Sequence, residues 1–409
     1  GACLATLCNG TYTSSDHQQF LAVGLAPLAA WALYEAHQGL VAQEQRRFLL
    51  GGGAFVALYA LWLMTAFYTA WFFLYFSVFA LLFLGLQTRG GEWRDLLSGL
   101  RRQIPALAGL VALAALLNIP FLMIYLPKAS QTGMRSFGEA TRFAPDILDI
   151  LHVGDKNLVW GRWDALPYRF FGHDYPVWAT LANGVPLALF LLFLAACALF
   201  ATRPAGSGRL EKALAGATIV TWILMARFGD VSLYSAVYTL FPGAKVIRVL
   251  VHYQLMLALP ITALAMAFLA RLSQRVPALV MGALAVFLVA EQLNHISIRL
   301  IDRPYELARL ARIPPPPASC RSFYISRTEK DAANPVEAIY RHSVDAMFLS
   351  ELLSLPTING MDSYTPPNYD LYRPADADYQ QRVSDYAGSH GLQGLCALDM
   401  HLDRWTETP

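Results

Sequence analysis

The sequence predicts an α-helical, multi-pass membrane protein that ends in a small soluble α/β domain. Three observations predict it. Hydrophobic residues make up 56% of the chain and charged residues only 15%, where soluble domains carry about a quarter charged; mean hydropathy is +0.40. About eight apolar stretches between residues 18 and 296 are each long enough for roughly 30 Å of hydrocarbon. After Pro314-Pro315-Pro316-Pro317 the apolar runs shorten and charge density rises. The expected domains are therefore a transmembrane helical part over 1–299, a proline-rich linker over 300–318 and a soluble α/β domain over 319–409.

The spans fall near 18–37, 47–67, 69–88, 104–126, 176–201, 210–228, 248–270 and 276–296. The second and third are nearly continuous, and the break at Phe67-Tyr68-Thr69 reads as either a tight hairpin or a kink. Alternate short connections are basic: Arg46 and Arg47; Arg89, Arg94, Arg101 and Arg102; Arg203, Arg209 and Lys212; Arg271 and Arg275. Basic loops face the cytoplasm, so the long loop 127–175 and the C-terminal domain are expected on the outer side. Loops of that length are functional or disordered. This one holds Trp160, Trp163, Tyr168, Phe170 and Phe171 among basic residues and is expected to fold against the membrane surface, with a short amphipathic helix over 144–151.

Tetraproline favours a semi-rigid polyproline II spacer. Beyond it, 321–325 reads as a strand, 336–353 as a helix, 357–358 as a short strand, 377–389 as a helix and 392–398 as a strand. That alternation predicts a small, parallel sheet covered by helices. No glycine-rich phosphate loop follows any strand. The formal net charge of +2, without a basic stripe, excludes nucleic acid as a partner. The chain opens on Gly1 and a polar run, which reads as a piece lacking its own N-terminus.

Five cysteines show no CxxC or Cys/His ligand spacing, so no metal site is expected from them. Cys320 opens the first strand of the soluble domain and Cys396 lies in its last. Neighbouring strands would bring them within disulfide range, and the outer side is oxidising; two buried thiols are the alternative.

Arg248 and His252 lie four apart where an outer loop enters the seventh span. They are either a snorkelling arginine and an interfacial histidine, or a cationic pair gripping an anionic, lipid-linked substrate. Asp230, near Arg227 at the end of the sixth span, and Arg135 in the long loop are further substrate-binding candidates. Asp16 and His17 precede the first span and form a weak catalytic acid–base candidate, with helix capping by Asp16 the plainer reading. Glu291, Asn294 and His295 close the eighth span and are expected to mark its interface.

Four segments carry a family likeness: His17-Gln18-Gln19 with Pro27, Phe67-Tyr68-Thr69-Ala70-Trp71-Phe72, Phe241-Pro242-Gly243 through Arg248, and Pro356-Thr357-Ile358-Asn359-Gly360 with Tyr364 and Pro366-Pro367. The chain resembles the bacterial YfhO-like membrane proteins, within the GT-C class of integral-membrane glycosyltransferases. One departure is His252, where a second arginine is expected. The resemblance implies a GT-C-like fold in the bacterial inner membrane. It implies transfer of a sugar from a polyprenyl-phosphate donor to a cell-envelope glycan or lipid acceptor on the extracytoplasmic face. It also implies a catalytic carboxylate, upstream of Gly1, acting as general base or positioning a divalent metal ion. Two alternatives from other classes are a lipid or polysaccharide transporter or flippase, and a non-catalytic membrane scaffold.

Overall fold

The structure, a computed structural model, describes residues 4, 8–10, 17–176, 182–204, 208–229, 231–295, 302–330, 335–361 and 368–407, with the main chain alone at 18 and 335–337. Two compact units emerge: Gly1–Pro127 with Met134–Ile298, and Lys128–Gly133 with Arg299–Pro409.

The first unit is helical. A 3-10 stretch, Gln18–Leu25, leads into α1 (Ala26–Val41), followed by α2 (Gln45–Thr65), α3 (Phe67–Leu86), α4 (Gly90–Arg102) and α5 (Ile104–Thr132). The junction of α2 and α3 is a hairpin. Ala66 alone leaves the helical region (φ −155°, ψ 83°), and the Phe55 and Phe73 rings, 18 residues apart in sequence, lie 6.5 Å apart. A continuous helix would separate them by about 27 Å. The Trp62 indole N–H donates to Thr69 Oγ1 at 2.7 Å and locks the turn. Helices α1 and α2 also pack closely, since a Cβ on Gly39 would stand 2.3 Å from Phe48 N and one on Gly51 2.4 Å from Ala36 N.

After α5 come α6 (Phe137–Thr141), a 3-10 turn Ile147–Leu151, α7 (Leu166–Phe171), α8 (Leu187–Ala201) and α9 (Arg209–Met225). The two-residue strands β1 (Arg227–Phe228) and β2 (Val231–Ser232), α10 (Tyr234–Leu240), α11 (Tyr253–Leu272) and α12 (Ala278–Ala290) complete the unit. Among the described residues five helical segments are long and apolar enough to cross a membrane: Gln19–Val41, Gln45–Thr65, Phe67–Leu86, Ile104–Thr132 and Leu250–Leu272. Their outward surfaces are apolar, with Val111 and Leu116 each 61% exposed, as lipid-facing positions are. These features define a membrane-embedded helical protein.

The other three apolar stretches form shorter helices, of 15 residues in α8, 17 in α9 and 13 in α12. Their ends nearest the loop after α5 are cut short by irregular backbone, whose polar groups are met by that loop. Val185 N donates to Ile150 O at 2.7 Å, Gly184 N to His152 O at 2.8 Å, Arg227 N to Pro145 O at 2.7 Å and His295 N to Lys156 O at 2.8 Å. Non-helical backbone at membrane depth is tolerated where protein satisfies it. That loop starts later than expected, because α5 continues to Thr132. The anticipated amphipathic helix at 144–151 is the five-residue 3-10 turn.

All described basic connections sit at one end of the bundle. There Arg47 pairs with Glu35 at 2.8 Å, Arg209 with Glu92 at 2.8 Å and Arg271 with Glu211 at 3.2 Å. The aromatic loops occupy the other end.

In the second unit α13 (Arg303–Leu310) precedes β3 (Ser322–Arg327), α14 (Pro335–Leu353), α15 (Tyr379–Ser389), β4 (Leu395–Asp399) and β5 (Arg404–Glu407). The sheet is mixed rather than parallel throughout. Strand β4 runs parallel to β3 and antiparallel to β5, while Thr357 bridges Phe323 in parallel on the far side of β3. Side-chain alternation sends Phe323, Ile325 and Leu398 to a core with Ala346 and Leu349 of α14. It sends Tyr324, Leu395 and Ala397 to the opposite core, with Tyr379 and Val383 of α15. The expected linker over 300–318 needs correction. Asp302 caps α13, and Leu310 and Ile313 are buried in the first of these cores, so the stretch before the prolines belongs to the domain. Cys320 and Cys396 form a disulfide, their Cα atoms 5.6 Å apart. Asn359 is structural: its Oδ1 accepts Ile325 N–H at 2.7 Å and its Nδ2 donates to the Tyr379 hydroxyl at 3.0 Å. Tyr364, Pro366 and Pro367 lie outside the described residues.

Candidate functional site

The aromatic end of the first unit gathers the candidates. The α2–α3 hairpin presents Tyr68, whose hydroxyl accepts Arg248 N–H at 2.9 Å. Pro242-Gly243 turns the chain ahead of it, with Gly243 at φ 80°, and Trp71 Nε1 holds that turn through Pro242 O at 2.8 Å. The Arg248 guanidinium then lies over the Phe143 ring, 5.3 Å from its centroid. Val251 N donates to Phe143 O at 3.3 Å, which fixes the loop that carries the ring. Arg248 Nε is buried and makes no hydrogen bond among the described residues. An unpartnered guanidinium N–H beside aromatic rings is costly unless an anion meets it.

His252 does not share a helical face with Arg248. Val249 is non-helical (φ −110°, ψ 85°), and His252 belongs to a separate 3-10 turn, Leu250–His252. Its ring is 4% exposed. It packs on Phe20 at 4.3 Å and on His17 at 6.0 Å, and meets the Asn183 side-chain amide at 3.3 Å. Phe20 in turn lies 6.1 Å from Tyr68. One wall therefore carries His17, Phe20 and His252, and the next carries Tyr68 and Arg248.

Arg135 reaches the same loop system through its backbone. Its N–H donates to Lys245 O at 3.2 Å, and its carbonyl accepts from the Tyr238 hydroxyl at 2.5 Å. Its guanidinium is buried and paired with Glu139, so its charge is already matched. Asp16 and Asp230 lie outside the described residues. Among the described residues no three His, Cys, Asp or Glu side chains converge as ligands for a metal ion.

The loop behind this wall holds polar groups that matched no recognisable motif. Asp164 accepts from Val153 N at 2.8 Å and from the Tyr175 hydroxyl at 2.8 Å, and meets His152 Nδ1 at 2.7 Å. Asp149 accepts from the Tyr168 hydroxyl at 2.6 Å and from Asp146 N at 2.8 Å. Burial pushes the Asp149 carboxyl above the usual carboxylate range, and these two donors oppose the shift. Burial likewise pushes the Tyr168 and Tyr175 hydroxyls up, with the adjoining carboxylates adding to it. These groups are saturated by one another and stiffen the loop.

Glu291 is a second case. Its carboxylate, 0% exposed, accepts from Ala188 N at 3.1 Å, Leu189 N at 2.9 Å and Trp160 Nε1 at 2.8 Å. It caps the start of α8 from another helix, placing negative charge at a helix N-terminus. The only sequence signal was a carboxylate at the end of an apolar span. No protein-family profile, curated protein or solved structure matches this chain.

Proposed function

We propose that this chain acts as a bacterial inner-membrane glycosyltransferase, resembling the YfhO-like, GT-C class. It transfers a sugar from a polyprenyl-phosphate-linked donor to a cell-envelope glycan or lipid acceptor on the extracytoplasmic face. The carrying observation is Arg248, whose buried Nε lacks a partner among the described residues beside Phe143 and Tyr68 at the end of the bundle away from the basic loops. Guanidinium geometry suits a phosphate, and the surrounding apolar and aromatic surface suits a lipid tail. The lysine and arginine distribution supports the outward orientation of this end, and the eight apolar stretches support a multi-pass topology. No step is assigned to a metal ion.

The test is sugar transfer in proteoliposomes holding the purified protein, a labelled polyprenyl-phosphate sugar and an envelope-lipid extract. Label should move to acceptor, and do so more slowly for Arg248→Ala. Donor bound but never consumed would favour the scaffold. Donor moved across the bilayer unchanged would favour the flippase.

A further inference from the structure

At the opposite end of the bundle a cleft of about 640 Å³ opens between α1 and α2, with Trp31, Leu50, Ala54, Glu44 and Arg46 on its walls. The two helices touch closely at Gly39 and Gly51, and Gly51 forms part of the cleft lining. Trp31 is 62% exposed and Leu50 63%, which gives the cleft an apolar flank on the outside of the bundle. From Gln45 to Ala54 it follows α2 for about 14 Å, enough for the upper part of an acyl chain.

Four charges line it: Glu35, Glu44, Arg46 and Arg47. Arg47 and Glu35 satisfy each other, Nε to Oε2 at 2.8 Å. Glu44 also attracts Arg47 at longer range, but neither Glu44 nor Arg46 lies within salt-bridge distance of an opposite charge among the described residues. A singly anionic headgroup would match Arg46 and oppose Glu44. A headgroup with both a phosphate and a primary ammonium matches both, because the ammonium can donate to the carboxylate.

We propose that this cleft binds a zwitterionic phospholipid of the phosphatidylethanolamine class, with phosphate at Arg46, ammonium at Glu44 and one acyl chain along Leu50 and Ala54. The site is separate from the one around Arg248 and independent of the glycosyltransferase reading.

Native mass spectrometry of the delipidated full chain, offered equimolar dioleoyl phosphatidylethanolamine, phosphatidylcholine and phosphatidylglycerol, tests it. The ethanolamine lipid should be retained at least about fivefold over the glycerol lipid, a preference of roughly 1 kcal/mol. Ala54→Trp should fill the cleft and abolish that retention. Glu44→Lys, a surface change that leaves packing alone, should shift preference to the glycerol lipid. Equal retention of all three lipids, or a Glu44→Lys protein with unchanged preference, would overturn the proposal.

Discussion

Replacing Arg248 with Met removes the guanidinium while keeping most of the side-chain volume. The structural loss is small. The Arg248 backbone N–H to Tyr68 is unaffected, the side chain makes no hydrogen bond through Nε among the described residues, and the stacking on Phe143 is worth about 1–2 kcal/mol. The loss to a bound phosphate is larger, since a charge-assisted hydrogen bond contributes about 1.5–3 kcal/mol. That corresponds to roughly 10- to 150-fold in affinity. Binding of a fluorescent polyprenyl phosphate to the protein in nanodiscs, measured beside its thermal midpoint, separates the two effects. Affinity should fall at least tenfold with the midpoint nearly unchanged. Unaltered affinity would refute the assignment, as would a fall matched by general loss of stability.

Further outcomes follow from other contacts. Glu291→Ala strands three donors, on Ala188, Leu189 and Trp160, and should cost about 3–5 kcal/mol; a thermal midpoint in detergent equal to wild type would contradict the capping role. Removing the Cys320–Cys396 disulfide, which spans 76 residues, should destabilise the C-terminal unit by about 4.5 kcal/mol on the loop-entropy estimate, read as faster limited proteolysis of that unit alone. His342 is buried against Leu371 O at 2.9 Å, and burial lowers its pKa below the usual histidine value. The unfolded chain therefore binds more protons, so stability is fully present above about pH 6.5 and falls as pH drops below it. Proteolytic stability of the C-terminal unit should show that acid loss, and His342→Gln should flatten it.

The apolar stretches were legible because lipid exposure imposes composition directly; Val111 and Leu116 need no partner to be read. The ends of α8, α9 and α12 were not, since what stops each helix is backbone pairing with the distant loop, as Val185 with Ile150 and Arg227 with Pro145. Arg248 was singled out for its guanidinium, but its helical spacing to His252 misled, because Val249 breaks the period. Glu291 read as an interface mark, since its partners are 102 and 103 residues away. In the C-terminal unit the hydrophobic strands stood out. Strand β5, Arg404–Glu407, is short and mostly exposed and left no pattern. Leu310 and Ile313 were masked by the prolines that follow them.

The most direct measurement is photocrosslinking with a benzophenone-bearing polyprenyl phosphate, followed by peptide mapping. Label is expected on the segments that carry Phe20, Tyr68, Phe143 and Arg248, competed by unlabelled polyprenyl phosphate but not by the corresponding alcohol. Label confined to other segments, or competed equally by the alcohol, would contradict a phosphate site at Arg248.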